Sequence, residues 1–179
     1  MLEGLLRHNT EMTVARNFVD SHGQSEIAFA FCHLLGFDLM PRLKRIGVQR
    51  FYLPEAGTKA NYPNLQPVLQ RAINWELIRQ HYDQMMKYAT ALRLGSAETD
   101  VILKQFNRSE TKHPTHQALS ELGRAVKTIF LCRYLHSVAL RQEIQVGLNV
   151  VDRWNGAFDF IFYGLSGEFA SNRRDQQEF

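Results

Sequence analysis

The hydrophobic pattern changes character about a third of the way along the chain. Up to Pro54 the apolar residues predict short strands around one helix, and beyond Pro67 they recur at helical spacing almost to the end. One strand is predicted to end near Val19, and a second covers 48–54. Helices are predicted over 26–35, 74–94, 97–106, 115–135, 137–146 and 149–163. The chain is therefore predicted to be α+β, leaning to α.

Residues with capping preferences mark several of these helix ends. Ser25, Asn74 and Ser137 are N-cap types, and Gly36 and Gly95 suit left-handed C-caps. The same reasoning ends a helix at Gly147, starts the next one at Asn149 and stops it at Gly164. The last part of the chain is thus predicted to form two helices.

The strands predicted before Pro54 are too few for an independent sheet, because two strands alone are marginally stable. We expect further strands from residues 1–11, from a partner, or from sequence outside this chain.

Composition narrows the class of protein. A chain of 179 residues with 45% hydrophobic and 22% charged residues is an ordinary globular protein. No apolar run reaches the roughly 18 residues that a bilayer span needs, and no secretory signal follows Met1. Cys32 and Cys132 are expected to be reduced, buried thiols. These features predict a cytoplasmic protein.

The net charge of +3 permits a polyanionic partner without requiring one. Basic residues gather in two places: Arg42, Lys44, Arg45 and Arg50, and then Arg173 and Arg174. Such clusters are more often solvated surface than a nucleic-acid contact.

Two aspartates are the strongest candidates for chemistry. Asp20, in "VDSHGQSEIAFAFCHLLGF", is predicted to lie at the carboxyl end of a strand, where an aspartate is more often a turn former. Asp152 shares a helical face with Asn155 and Asp159, and Trp154 is expected on the opposite, core-facing side. No zinc, P-loop or serine-hydrolase motif accompanies them.

Three segments together resemble a known family. They are "VDSHGQSEIAFAFCHLLGFDLMPRLKRIG", "LSELGRAVKTIFLCRYL" and "GLNVVDRWNGAFDFIFYGLSGEFASNRRDQQE". They resemble the catalytic region of the Tn-three family of replicative transposases, and the similarity runs from about Leu2 to Glu178.

The resemblance implies a partial RNase H-like core of the DDE type. In that fold three carboxylates hold two Mg²⁺ (or Mn²⁺) ions for phosphodiester hydrolysis and strand transfer. Asp20 resembles the family's second acidic residue, and Asp152, 132 residues later, aligns with its third. The implied division is a core part over 1–64, a helical insertion over 65–147, and a core helix with its following loop over 148–179.

The chain departs from the family pattern at the site itself. Asp152 stands where the family has glutamate, so its carboxylate is drawn back by roughly 1.3–1.5 Å, and misplacements of about 1 Å often disable a catalytic site. Glu168 is the fallback for the third acid. The family's first aspartate lies upstream of the matched region, so the chain is interpreted as a piece of a transposase that is inactive alone.

The resemblance also implies partners. DNA, as transposon ends and target, would meet Arg42, Lys44, Arg45, Arg173 and Arg174 in a bacterial cytoplasm, at the nucleoid. A homo-oligomer is left open. Two alternatives stay open as well: a non-catalytic DNA-binding or interaction module, and an unrelated metal-dependent hydrolase in which His22 is a ligand near Asp20.

Overall fold

A computed structural model describes residues 16–20, 23–95 and 113–163, without the side chains of 151 and 158–163. The described part is mostly helical. The strands are β1 (Arg16–Val19), β2 (Asp38–Pro41), β3 (Phe51–Leu53) and β4 (Leu69–Ala72). The helices are α1 (Glu26–Leu35), α2 (Trp75–Leu94), α3 (Pro114–His136) and α4 (Val138–Tyr163). The balance agrees with the predicted α+β class leaning to α.

The strands form two parallel pairs. β1 pairs with β2, with Arg16 opposite Asp38 and Val19 opposite Pro41, and β3 pairs with β4. Neither β2 nor β4 was predicted, so strands come from within the chain where the sequence analysis expected loop or helix. β4 escapes detection because the polar Gln70 and Arg71 break its apolar pattern. The predicted strand over 48–54 shrinks to β3, because Val48 belongs to a short 3₁₀ turn.

The predicted caps of α1 and α2 are confirmed. The Ser25 hydroxyl accepts the N–H of Ala28 at 3.2 Å, and the Asn74 side chain accepts that of Leu77 at 3.0 Å. Gly36 and Gly95 end these helices in the left-handed conformation, with φ of 84° and 66°. α3 closely matches its predicted range, and the helix predicted over 97–106 lies outside the described residues.

The predicted break at Gly147 and Asn149 is wrong, because α4 is one continuous helix. Gly147 serves a different purpose: a Cβ there would lie 2.7 Å from the ring of Phe18 in β1. The missing side chain lets α4 approach the strand closely. Ser137 does cap α4, since its hydroxyl accepts the N–H of Leu140 at 3.1 Å.

The core is built around α1, whose Phe29, Ala30, Phe31 and Cys32 are fully buried. α3 crosses α1 so closely that a Cβ at Gly123 would overlap the backbone carbonyl of Glu26. The burial prediction for the cysteines is confirmed for Cys32 and wrong for Cys132, which is exposed. Among the described helices, none has the length and apolarity that a membrane crossing requires.

Candidate functional site

Asp20 directly follows the last residue of β1, as the sequence predicted. Its carbonyl accepts the N–H of Gly23 at 2.9 Å, so the chain turns immediately after the strand toward α1. Val19 before it is buried, whereas the Asp20 side chain is 44% exposed. The strand therefore holds the backbone of Asp20 while its carboxylate faces solvent at the carboxyl end of the β1–β2 pair.

Two basic side chains surround this carboxylate. Arg42 Nη2 donates to Asp20 Oδ1 at 3.2 Å, and Lys44 Nζ lies 3.8 Å from the same oxygen. The parallel register causes this meeting, because Asp20 follows Val19, Arg42 follows Pro41, and those two residues are opposite each other. The backbone N–H of Arg42 also donates to the carbonyl of Val19 at 3.0 Å. We call Asp20, Arg42 and Lys44 the Asp20 corner.

Arg45 lies just beyond this corner in a strained part of the backbone. It has φ of 56°, the left-handed region, where it precedes a 3₁₀ turn over Ile46–Val48. Its side chain is exposed. Of the three basic residues predicted here, two contact Asp20, and Arg45 projects toward solvent.

α4 runs along β1 in the direction of Asp20. Arg16 at the start of the strand is paired with Glu143, and Phe18 packs against Gly147. Two strand residues advance about 6.6 Å and four helix residues advance about 6.0 Å. Extrapolating by the same steps reaches Asp20 on the strand and residue 151 on the helix, next to Asp152.

Asp152 continues the inner face of α4. It follows the buried Ile144 and Leu148 at intervals of four residues, which is the spacing of one helix face. Asp152 itself is exposed. The expectation that Trp154 packs in the core is wrong, since it is 62% exposed.

The turn that carries Asp20 is held by residues that sequence analysis did not single out. Lys127 Nζ of α3 donates to the carbonyl of Gln24 at 3.2 Å, and Gln49 Nε2 donates to the Gln24 side chain at 3.4 Å. Burial lowers the pKa of Lys127 below its ordinary value, against the smaller opposing effect of the nearby Glu26. No local motif signals this contact, because 103 residues separate its partners.

A second carboxylate with two cations lies deeper. Glu121 of α3 accepts hydrogen bonds from Arg71, from Arg124 and, at 2.9 Å, from the backbone N–H of Asn74. Arg124 Nε is also 3.0 Å from Glu26 Oε2, and both guanidiniums lie over the ring of Tyr52. We call these residues the Glu121 cluster: Glu26, Tyr52, Arg71, Glu121 and Arg124. The i, i+3 spacing of Glu121 and Arg124 is the one signal that sequence carries for it.

The pKa of Glu121 reflects two opposing causes. Burial of the carboxyl would raise its pKa, but hydrogen bonds from Arg71 and from the Asn74 backbone, with the charges of Arg71 and Arg124, more than offset it. The resulting pKa lies below the ordinary value of a glutamate. The cluster contains two acids and two guanidiniums, so it is balanced in charge and has no net attraction for an anion.

Several predicted residues lie outside the described part of the chain: His22, Glu168, Arg173 and Arg174. Among the residues that are described, no group of three His, Cys, Asp or Glu side chains is close enough to hold a metal ion. The chemistry of the Asp20 corner still suits a divalent cation. Its carboxylate is a hard oxygen ligand within reach of solvent, and it already attracts two positive groups.

Comparison with known proteins identifies the family. Residues 1–179 match the family described as the Tn3 transposase DDE domain. The chain is 30% identical over its whole length to the transposase for transposon Tn501 of Pseudomonas aeruginosa, covering 18% of that protein. It is 31% identical over 94% of its length to the transposase for transposon Tn1546 of Enterococcus faecium, covering 17% of it. The transposase for transposon gamma-delta of Escherichia coli strain K12 is 29% identical over 99% of the chain, which covers 18% of that protein.

The match covers the whole chain and is to the catalytic region of a class of transposases. The chain is a member of the Tn3 transposase DDE domain family. It spans less than a fifth of the length of the curated relatives it matches.

Proposed function

We propose that the chain is part of the catalytic domain of a DNA transposase that performs metal-dependent phosphodiester hydrolysis and strand transfer. In this proposal 1–64 and 148–179 contribute to an RNase H-like core, and 65–147 is a helical insertion. Asp20 is its second acidic residue, Asp152 the third, and Glu168 the fallback for that third position. The family membership supports the class of reaction.

The observation that carries the proposal is the course of α4 along β1. Arg16 with Glu143, and Phe18 with Gly147, set a common direction in which strand and helix advance at nearly equal rates. That direction favours a meeting of Asp20 and Asp152 at the open end of the β1–β2 pair. Two carboxylates on different elements then face one volume, although 132 residues separate them in sequence.

Asp20 and Asp152 would hold the divalent ions, two in the complete site, with Mg²⁺ or Mn²⁺ as the ion type. When bound, such ions activate a water or a DNA 3′-hydroxyl and stabilise the leaving oxygen. The protein's own contribution is rigid placement: β1 fixes the backbone of Asp20, and Lys127 anchors the following turn through Gln24. Asp152 is shorter than glutamate, so α4 must approach β1 closely, which Gly147 permits.

DNA is the proposed partner, as transposon ends and target. Arg42, Lys44, Arg45, Arg173 and Arg174 would contact phosphates, and Arg42 and Lys44 would do so next to the acidic site. A homo-oligomer belongs to the proposal only at the level of the whole protein, because the chain spans a small part of its relatives.

Binding of Mn²⁺ tests the site directly. The chain is titrated with Mn²⁺, and the free ion is measured by electron paramagnetic resonance. The unaltered chain should bind Mn²⁺, and both Asp20→Asn and Asp152→Asn should weaken this binding at least tenfold. Asp152→Glu, which restores the family residue, should tighten it. Asp38→Asn is the matched control, because Asp38 is an exposed aspartate at the opposite, amino end of the same strand pair.

Two outcomes would contradict these assignments. If Asp152→Asn binds Mn²⁺ like the unaltered chain while Glu168→Gln does not, the third acid is Glu168. If Asp20→Asn and Asp38→Asn bind Mn²⁺ equally well, Asp20 is not a metal ligand and the proposed site fails.

A second candidate function is a non-catalytic DNA-binding module. The observation that favours it is the absence of a three-acid group among the described residues. DNA affinity with a steep dependence on salt, and no Mg²⁺-dependent joining of transposon ends, is expected of the isolated chain in either case. If this chain alone joined transposon ends, our assignment of only two of the three catalytic acids to it would be wrong.

A further inference from the structure

Asp20 is paired with two positively charged side chains in the absence of any metal ion. Arg42 donates to its Oδ1 at 3.2 Å and Lys44 lies 3.8 Å from the same atom. The proposed function gives these side chains two uses that conflict: the acid is to bind a cation, and both bases are to bind DNA phosphates. The three groups cannot keep their present pairing while they do so, because a divalent ion on Asp20 repels both bases.

The guanidinium of Arg42 is only half used in this arrangement. Its Nε is buried and has no hydrogen-bond partner among the described residues, while Nη2 makes one bond to Asp20. Nε–H and the neighbouring Nη–H form one edge that fits two oxygens of a carboxylate or phosphate. An unpaired buried N–H is unfavourable, so a rearrangement that gives this edge two acceptors is favoured.

Both bases lie near the surface. The side chains of Arg42 and Lys44 are 33% and 58% exposed, and both lie at the end of β2 beside the exposed Arg45. Exposed ion pairs are weak, so binding of a divalent ion or a phosphate can replace them. The side chains of the Asp20 corner can therefore exchange their present ion pairs for other partners.

We propose that Arg42 and Lys44 change partners, from Asp20 in the metal-free chain to DNA phosphates when Asp20 binds a divalent cation. The inference rests on the proposed function and adds a consequence: metal ion and DNA bind cooperatively. Linkage makes the effect reciprocal, so DNA tightens metal binding by the same factor. Asp20 then acts as a restraint on DNA binding until the metal ion arrives.

Fluorescence anisotropy with a short labelled DNA duplex of arbitrary sequence tests this exchange. Calcium replaces magnesium, so that the DNA is not cleaved. In chelator, Asp20→Asn should bind the duplex about 5–10-fold more tightly than the unaltered chain, because the two weak ion pairs no longer hold the bases. Calcium should tighten DNA binding by the unaltered chain by a similar factor. It should leave DNA binding by Asp20→Asn unchanged.

Two controls separate partner exchange from a general change in charge. Asp38→Asn removes one negative charge at the other end of the strand pair and should leave DNA affinity within about twofold. The double variant Asp20→Asn with Arg42→Ala should lose most of the gain of the single variant. The slope of log affinity against log salt should steepen by about 0.9 for each phosphate gained in Asp20→Asn.

Equal gains in Asp20→Asn and Asp38→Asn, or a gain that survives Arg42→Ala, would overturn the exchange. Mn²⁺ binding distinguishes its failure from failure of the proposed function. If Asp20→Asn loses Mn²⁺ but gains no DNA affinity, only the exchange is wrong. If Asp20→Asn retains full Mn²⁺ binding, the metal site at Asp20 is wrong, and the exchange falls with it.

Discussion

The Asp20 corner and the Glu121 cluster have a similar arrangement of charges in different surroundings. Each has a carboxylate that meets two basic side chains. Glu121 is 4% exposed and also accepts a backbone N–H, whereas Asp20 is 44% exposed. A buried charge that loses its partner is strongly destabilising, whereas an exposed pair contributes little. Burial therefore distinguishes a pairing that holds the fold from one that can be exchanged.

The two sites also differ in what they connect. The Glu121 cluster joins α3 to β4, to the start of α2 and, through Glu26, to α1. The contacts described for the Asp20 corner join the ends of the neighbouring strands β1 and β2. Substitutions should therefore act on stability at the first site and on ligand binding at the second.

The largest effect on stability is expected from Glu121→Gln. This change removes the buried acid that accepts from Arg71, Arg124 and the Asn74 backbone, although Arg124 keeps Glu26 and Arg71 is half exposed, and it should lower the free energy of unfolding by about 2–3 kcal/mol. For a chain of this length the thermal midpoint should fall by about 4–12 °C. Circular dichroism melts would measure it, with Glu76→Gln as control, because Glu76 pairs with Arg79 on the exposed surface of α2.

The pH dependence provides a second readout for the same variant. The folded pKa of Glu121 lies below its unfolded value of about 4.3, so its contribution is present above that pH and lost as pH falls through the folded pKa. Urea unfolding of the unaltered chain should show stability falling below about pH 4.3, and Glu121→Gln should flatten that fall. An identical pH profile in both chains would contradict the paired, ionised state of Glu121.

A smaller effect is expected from Gly147→Ala. The added Cβ would lie 2.7 Å from the Phe18 ring, where carbon contacts are ordinarily about 3.5–4.0 Å, so α4 must shift by roughly 1 Å from β1. We expect a loss of about 1–2 kcal/mol in urea unfolding and weaker Mn²⁺ binding. The added Cβ of Gly156→Ala on the same helix would have no atom of the described residues outside the helix backbone within 4 Å, so this variant should be neutral or stabilising by up to about 1 kcal/mol. Unchanged Mn²⁺ binding in Gly147→Ala would show that the approach of α4 to β1 does not build the site.

The smallest effect on stability is expected from Asp20→Asn. Its ion pairs are partly exposed, so the free energy of unfolding should change by less than about 1 kcal/mol. Urea unfolding beside Asp38→Asn would measure it. A loss above about 2 kcal/mol would make the Asp20 pairs structural, like those of Glu121, and would remove the distinction between the two sites.

The sequence determined the features that depend on a few neighbouring residues. Ser25 and Gly36 delimit α1, Asn74 and Gly95 delimit α2, and β1 ends at Val19, where the apolar pattern predicts the strand end. Caps act over three or four residues, so their chemistry is readable in the chain itself. The resemblance of the three quoted segments likewise identified the family, which the comparisons confirm.

Tertiary structure decided the features that depend on residues far apart. Arg42 meets Asp20 because two four-residue strands pair in parallel, and one of those strands has too weak a pattern to be predicted. Gly147 suggested a helix end from its sequence, yet it lies inside α4, because contact with Phe18, 129 positions earlier, favours a glycine there. Local preference is worth about 1 kcal/mol at such a position, and close packing of a helix on a strand outweighs it.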